Sequence, residues 1–156
     1  MIAEIFAISF LLKLRLMDLE MNKRARLFLG VSWENMKTIL YIDNSESHRF
    51  LLRDALSEEG YEVFTSESIE DALFKFTGVN LDLLILELRQ MDAKKENFRK
   101  LKEQYPGIPL IGYSTFTQCP GEFKEWIDFY LTKSPETDEI KSLVRVLSNL
   151  NQISQE

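Results

Sequence analysis

The stretch Leu81-Asp82-Leu83-Leu84-Ile85-Leu86-Glu87-Leu88 decides the fold. Six of its eight residues are Leu or Ile. A run this continuous reads as a central strand covered on both faces, the habit of parallel sheets flanked by helices. Glu87 is the anomaly in it. It is a carboxylate at the C-terminal end of an apolar strand, where open α/β sheets carry their ligand sites.

Working outward, strands and helices alternate. Thr38-Ile39-Leu40-Tyr41-Ile42 is a short apolar run ended by Asp43-Asn44-Ser45, a buried strand closing in a polar turn. Phe50, Leu51, Ala55 and Leu56 recur at helical spacing over 46–59, and Gly60 stands where a C-cap glycine belongs. Residues 61–64 form a second strand. Ser68-Ile69-Glu70-Asp71 is a capping box that opens a helix carrying Ala72, Leu73 and Phe76, ended by Gly78. After the central strand, Phe98, Leu101 and Tyr105 mark a third helix, stopped by Pro106-Gly107. A fourth strand is expected over 109–113, a short helix with an early proline over 120–126, and a fifth strand over 127–131. Ser134-Pro135 reads as N-cap and first helical residue of a last helix carrying Ile140, Leu143, Val144 and Leu147, fraying after Leu150.

Five strands alternating with five helices predict a doubly wound parallel sheet of flavodoxin-like order 2-1-3-4-5. That order collects polar residues at the strand ends: Asp43 and Asn44 after strand 1, Glu87 after strand 3, Ser114 after strand 4, Lys133 after strand 5. One such residue means little; four strand ends with this chemistry make a site. The bulk composition narrows its use. A net charge of -6 argues against a nucleic-acid backbone as partner. One cysteine, Cys119, allows no internal disulfide and suits a reducing, cytoplasmic compartment. One histidine, His48, excludes a multi-His metal site and reads as a surface residue.

Over residues 36–150 these features together resemble the CheY-like receiver domains of response regulators. The acidic pair after strand 1 falls at Asp43-Asn44, and the phosphoacceptor position at Glu87. The hydroxyl residue after strand 4 is Ser114, and the aromatic three residues before the strand 5 lysine is Tyr130, with Lys133 that lysine. The departures are Glu for Asp at the phosphoacceptor, Asn as the second acid, Arg89-Gln90-Met91-Asp92 in the loop after strand 3, and Lys133-Ser134-Pro135 in place of Lys-Pro. In receivers an aspartate takes a phosphoryl group with Mg2+ offsetting charge, the lysine pairs with that group, and hydroxyl and aromatic follow to remodel the output face.

The resemblance therefore implies a stand-alone degenerate receiver in two-component phosphorelay signalling, a protein-binding module rather than an enzyme. Glu87 is one methylene longer than Asp, so its carboxylate lies about 1.5 Å further out, where it reaches Lys133 and partly mimics a phosphoryl group. The structural alternative is a plain Glu87–Lys133 ion pair, and both can hold at once. No cofactor is required; Asp43 and Glu87 would hold Mg2+ only weakly, since it demands near-ideal octahedral oxygen geometry. The implied partner is a histidine kinase or output protein on the helix 4–strand 5–helix 5 face, with homodimerisation as a further option. The competing reading is a phosphorylatable receiver that accepts phosphate on Glu87 from a histidine kinase with Mg2+. A flavodoxin-like enzyme ranks last, because Asp43-Asn44-Ser45-Glu46 would repel a phosphate.

Residues 1–35 stand apart. The apolar run 5–12 falls short of the ~20 residues of a membrane span, and no basic leader precedes it. Either translation starts at Met36, or Ile5, Phe6, Leu12, Leu16 and Leu19 form one side of a packing helix. Residues 151–156 are read as a tail.

Overall fold

The computed structural model describes residues 37–153 of the chain. The expectations for residues 1–35 lie outside the described residues. Within them the elements run β1 (Thr38–Ile42), α1 (Glu46–Glu58), β2 (Glu62–Ser66), α2 (Ile69–Lys75), β3 (Leu83–Leu86), α3 (Lys95–Gln104), β4 (Leu110–Ser114), a 3-10 turn (Gly121–Phe123), β5 (Phe129–Thr132) and α4 (Asp138–Ile153). All strand pairs are parallel and the sheet order is β2-β1-β3-β4-β5, as the alternation of elements predicts.

The period of two along each strand divides the core between two faces. Leu40, Ile42, Leu84 and Leu86 pack with Ile69 and Ala72 of α2 and with Phe98 and Leu101 of α3. Ile39, Tyr41, Leu83 and Ile85 pack with Leu52 and Leu56 of α1 and with Ile140 and Val144 of α4. Strand β3 is fully buried along its length, which explains its unbroken apolar sequence. Register places Tyr41 beside Ile85 and Ile42 beside Leu86, so Asp43 and Glu87 leave the sheet side by side.

Local chemistry fixes the ends. Ser45 and Ser68 cap α1 and α2, each side chain accepting from the amide three residues on. Asp71 does not complete a reciprocal box, because its carboxylate accepts instead from Ser66 Oγ at 2.7 Å. Gly60 ends α1 at φ +92°, a conformation that a side chain would strain.

Three expectations need correction. The helix over 120–126 is one 3-10 turn, Gly121–Phe123, so the described residues hold four α-helices, not five. Gly121 weakens any helix there. Asp128 is already bound to β4, its amide donating to the Leu110 carbonyl and its carboxylate accepting from the Leu110 amide, so little chain remains for a helix. The last helix starts at Asp138 rather than Pro135, because Ser134 Oγ bonds the Glu136 carbonyl and closes a separate turn. It runs to Ile153, past Leu150. Strand β3 is shorter than 81–88: Asp82 accepts from the Thr38 amide at 2.8 Å and anchors the approach to it.

Candidate functional site

The site forms where β1, β3, β4 and β5 end. The strands carry its residues there through the sheet's own ladder, with the Glu87 amide donating to the Ile42 carbonyl at 2.9 Å and the Lys133 amide to the Ser114 carbonyl at 2.7 Å. Asp43 and Ser114 are fully buried and Glu87 nearly so. Such groups persist only when paired and hydrogen-bonded.

Lys133 is the common partner. Its ammonium donates to Asp43 Oδ2 at 2.5 Å and to Glu87 Oε2 at 2.5 Å. A third acceptor, His48 Nδ1, lies 3.1 Å away. Three N–H groups thus meet three acceptors. Glu87 Oε1 accepts the Ser114 hydroxyl and, at 2.7 Å, the Arg89 amide. Asp43 Oδ1 accepts the Ser45 amide at 2.8 Å, and its Oδ2 accepts the Tyr41 hydroxyl as well as Lys133. Burial pushes the Asp43 carboxyl up, but the bonds from Lys133, Tyr41 and Ser45 outweigh it and hold it below the usual carboxylate value. Burial, and then the Asp43 carboxylate, push the Tyr41 hydroxyl far up, so it stays a donor.

Of the residues expected at the site, Asp43, Glu87, Ser114 and Lys133 meet in one bonded cluster. Asn44 is exposed. Tyr130 is half-buried one step away, its hydroxyl donating to the Phe116 carbonyl and lying 3.4 Å from that of Ser114. The sequence reading missed Tyr41, His48, Arg89 and Phe116. Tyr41 left a signal, a tyrosine two residues before Asp43 and so on the same strand face. The others left none: His48 meets Lys133 across 85 residues, and the Arg89 guanidinium covers the Phe116 ring at 4.1 Å.

This donor set fits a hard divalent cation poorly. Mg2+ demands near-ideal octahedral oxygen geometry. Here Asp43 Oδ2 and Glu87 Oε1 each already accept two hydrogen bonds, and the Lys133 ammonium binds both carboxylates where a cation would sit. Among the described residues no group of three or more His, Cys, Asp or Glu is arranged to hold a metal ion.

No family model matches the chain. Individual relatives do. The response regulator TrrA of Thermotoga maritima, solved in complex with Mg2+-BeF, is 33% identical over 72% of this chain and 99% of its own, with a TM-score of 0.64. A CheY-like receiver domain protein from Methanospirillum hungatei, 18% identical with a TM-score of 0.68, covers 76% of this chain and 98% of its own and shares the fold. The KDP operon transcriptional regulatory protein KdpE of Escherichia coli is 26% identical over 71% of this chain, which spans 51% of KdpE's length. The strand order, the strand-end cluster and the identity to TrrA along almost its whole length agree: the chain belongs to the CheY-like receiver family of response regulators.

Proposed function

We propose that this receiver signals by binding a partner protein without an obligatory phosphorylation cycle, the Glu87 carboxylate standing in for the phosphoryl group. One observation carries the reading. Glu87 holds the Ser114 hydroxyl through one oxygen and the Lys133 ammonium through the other. Those are the two groups that a receiver's phosphoryl group gathers. The phosphorylatable alternative needs a Glu87 oxygen free for attack and a cation beside it, and the bonded cluster favours neither.

TrrA has also been solved in complex with the histidine kinase ThkA, and a partner of that kind in the cytoplasm fits this chain. The expected helix 4–strand 5–helix 5 face has a 3-10 turn in place of its first helix, and Phe129 of β5 is exposed there. A second apolar surface, Phe50 and Leu51, is exposed on α1, and Leu51 lines a cleft of about 300 Å³ that reaches Tyr41, Tyr113 and Lys133. Among the described residues no helix is long and apolar enough to cross a membrane.

Glu87→Gln tests the proposal. It removes the charge while keeping the shape, so the amides of residues 114–117 and 133 should shift and affinity for a histidine-kinase partner should fall tenfold or more, since bonds to charged groups contribute ~1.5–3 kcal/mol. Unchanged amides with unchanged affinity would sink it.

A further inference from the structure

Gly112 lies in the interior of β4, fully enclosed, and its backbone is ordinary strand: the positive-φ glycines among the described residues are Gly60, Gly78 and Gly107. A glycine in a strand interior costs stability and packs nothing. The backbone does not require one here, so the reason must lie in the space a side chain would take. That space is tight. Gly112 pairs directly with Tyr130 across the β4–β5 ladder. A Cβ at 112 would stand 3.0 Å from Tyr130 Cδ2, 3.2 Å from Ile127 Cγ2 and 3.3 Å from Leu88 Cδ1. Carbon atoms in comfortable contact sit at ~3.5–4.0 Å.

We infer that Gly112 is a built-in seat that keeps the Tyr130 ring turned inward whether or not residue 87 in the acid pocket carries a negative charge. The ring, Leu88 and Ile127 all close over the Gly112 backbone, and the Tyr130 hydroxyl reaches past the seat to the Phe116 carbonyl. Turning it outward would leave an apolar void over Gly112 and strand that tether. Interiors resist such voids, because the lining atoms lose their contacts. The aromatic of the output face is therefore set by packing, and Glu87 sets only the hydroxyl and the lysine. A partner meets one fixed form of this face. The inference rests on the reading of Tyr130 as part of an output face.

The test is nuclear Overhauser spectroscopy on the full chain, with labelled Leu and Ile methyls and no phosphodonor or Mg2+ present. Cross-peaks from the Tyr130 ring to the Leu88 and Ile127 methyls should appear in the native protein. They should persist at full strength in Glu87→Gln and in Tyr130→Phe, and weaken in Gly112→Ala as the ring is pushed away from the seat. Absence from the native protein, or undiminished cross-peaks in Gly112→Ala, overturns the seat. If Gly112→Ala does not fold, pairing it with Tyr130→Ala decides: recovery of the fold supports a collision between Cβ and ring, and continued unfolding overturns it. The two readings fail separately. Cross-peaks lost in Glu87→Gln but undiminished in Gly112→Ala mean that charge places the ring, which removes the seat and leaves Glu87's role. Cross-peaks kept in Glu87→Gln with unmoved 114–117 amides and unchanged partner affinity leave the seat and remove that role.

Discussion

Asp43 shows how a single residue carries both the stability and the logic of the pocket. Its folded-state carboxyl is held below the ordinary value of 3.8. A depressed carboxyl contributes stability above its unfolded pKa and loses it as pH falls through the folded one. Asp43's share is thus complete at neutral pH and drains below pH 4 or so. Asp43→Asn should remove that share. At neutral pH it leaves Lys133 short of one buried charge partner, a loss of about 3 kcal/mol at the low end for a broken buried pair, because Glu87 remains. Urea unfolding at neutral pH and at pH 3 checks this. The native protein should lose more stability than Asp43→Asn between the two, and equal losses would refute the assignment.

At this scale the sequence revealed the site unevenly. Asp43, Glu87, Ser114 and Lys133 were legible because each is polar where an apolar run stops. Tyr41 left a weaker signal, because tyrosine is an ordinary strand residue and only its place two residues before Asp43 on the expected strand marks it. His48 and Phe116 belong to the pocket by tertiary approach alone.

At the scale of elements, the 3-10 turn is the departure that matters. Phe123 anchors it, meeting the Phe98 ring edge-on at 4.9 Å and 88°. Phe98 itself is fully buried on α3. The proline at 120 marked a start correctly, but periodicity could not show that Phe123 is pinned beneath α3 while Asp128 is pinned to β4. Phe98→Ala should cost about 3–5 kcal/mol, the range for deleting a buried aromatic, and should speed amide exchange over residues 121–127 as the turn loses its anchor. Phe74→Ser is the control. Phe74 is 85% exposed on α2, so its loss should stay within ~0.5 kcal/mol. Similar costs for the two changes would mean that α3 does not hold the turn.

At the scale of the molecule, strand order was the most legible feature. An unbroken apolar strand between helices can only be central, and the short connections leave few topologies. What the sequence could not give was the state of the assembled pocket, since that depends on how many donors converge on each oxygen. The answer has a direct consequence for ligands. A cation entering between Asp43 and Glu87 must displace Lys133 and draw Asp43 from the Tyr41 hydroxyl, and beryllofluoride must then compete with a carboxylate for Ser114 and Lys133. An amide titration of the full chain with Mg2+, then beryllofluoride, should therefore leave residues 43, 87, 114 and 133 unmoved at concentrations that saturate ordinary receivers. Lys133→Met removes the resident cation and leaves two buried carboxylates to repel one another. That variant should gain Mg2+ affinity over the native protein. Shifts in the native protein that spread from the pocket to Tyr130 would mean that the cluster opens readily, that the chain still takes a phosphoryl group, and that Glu87 is no substitute for one.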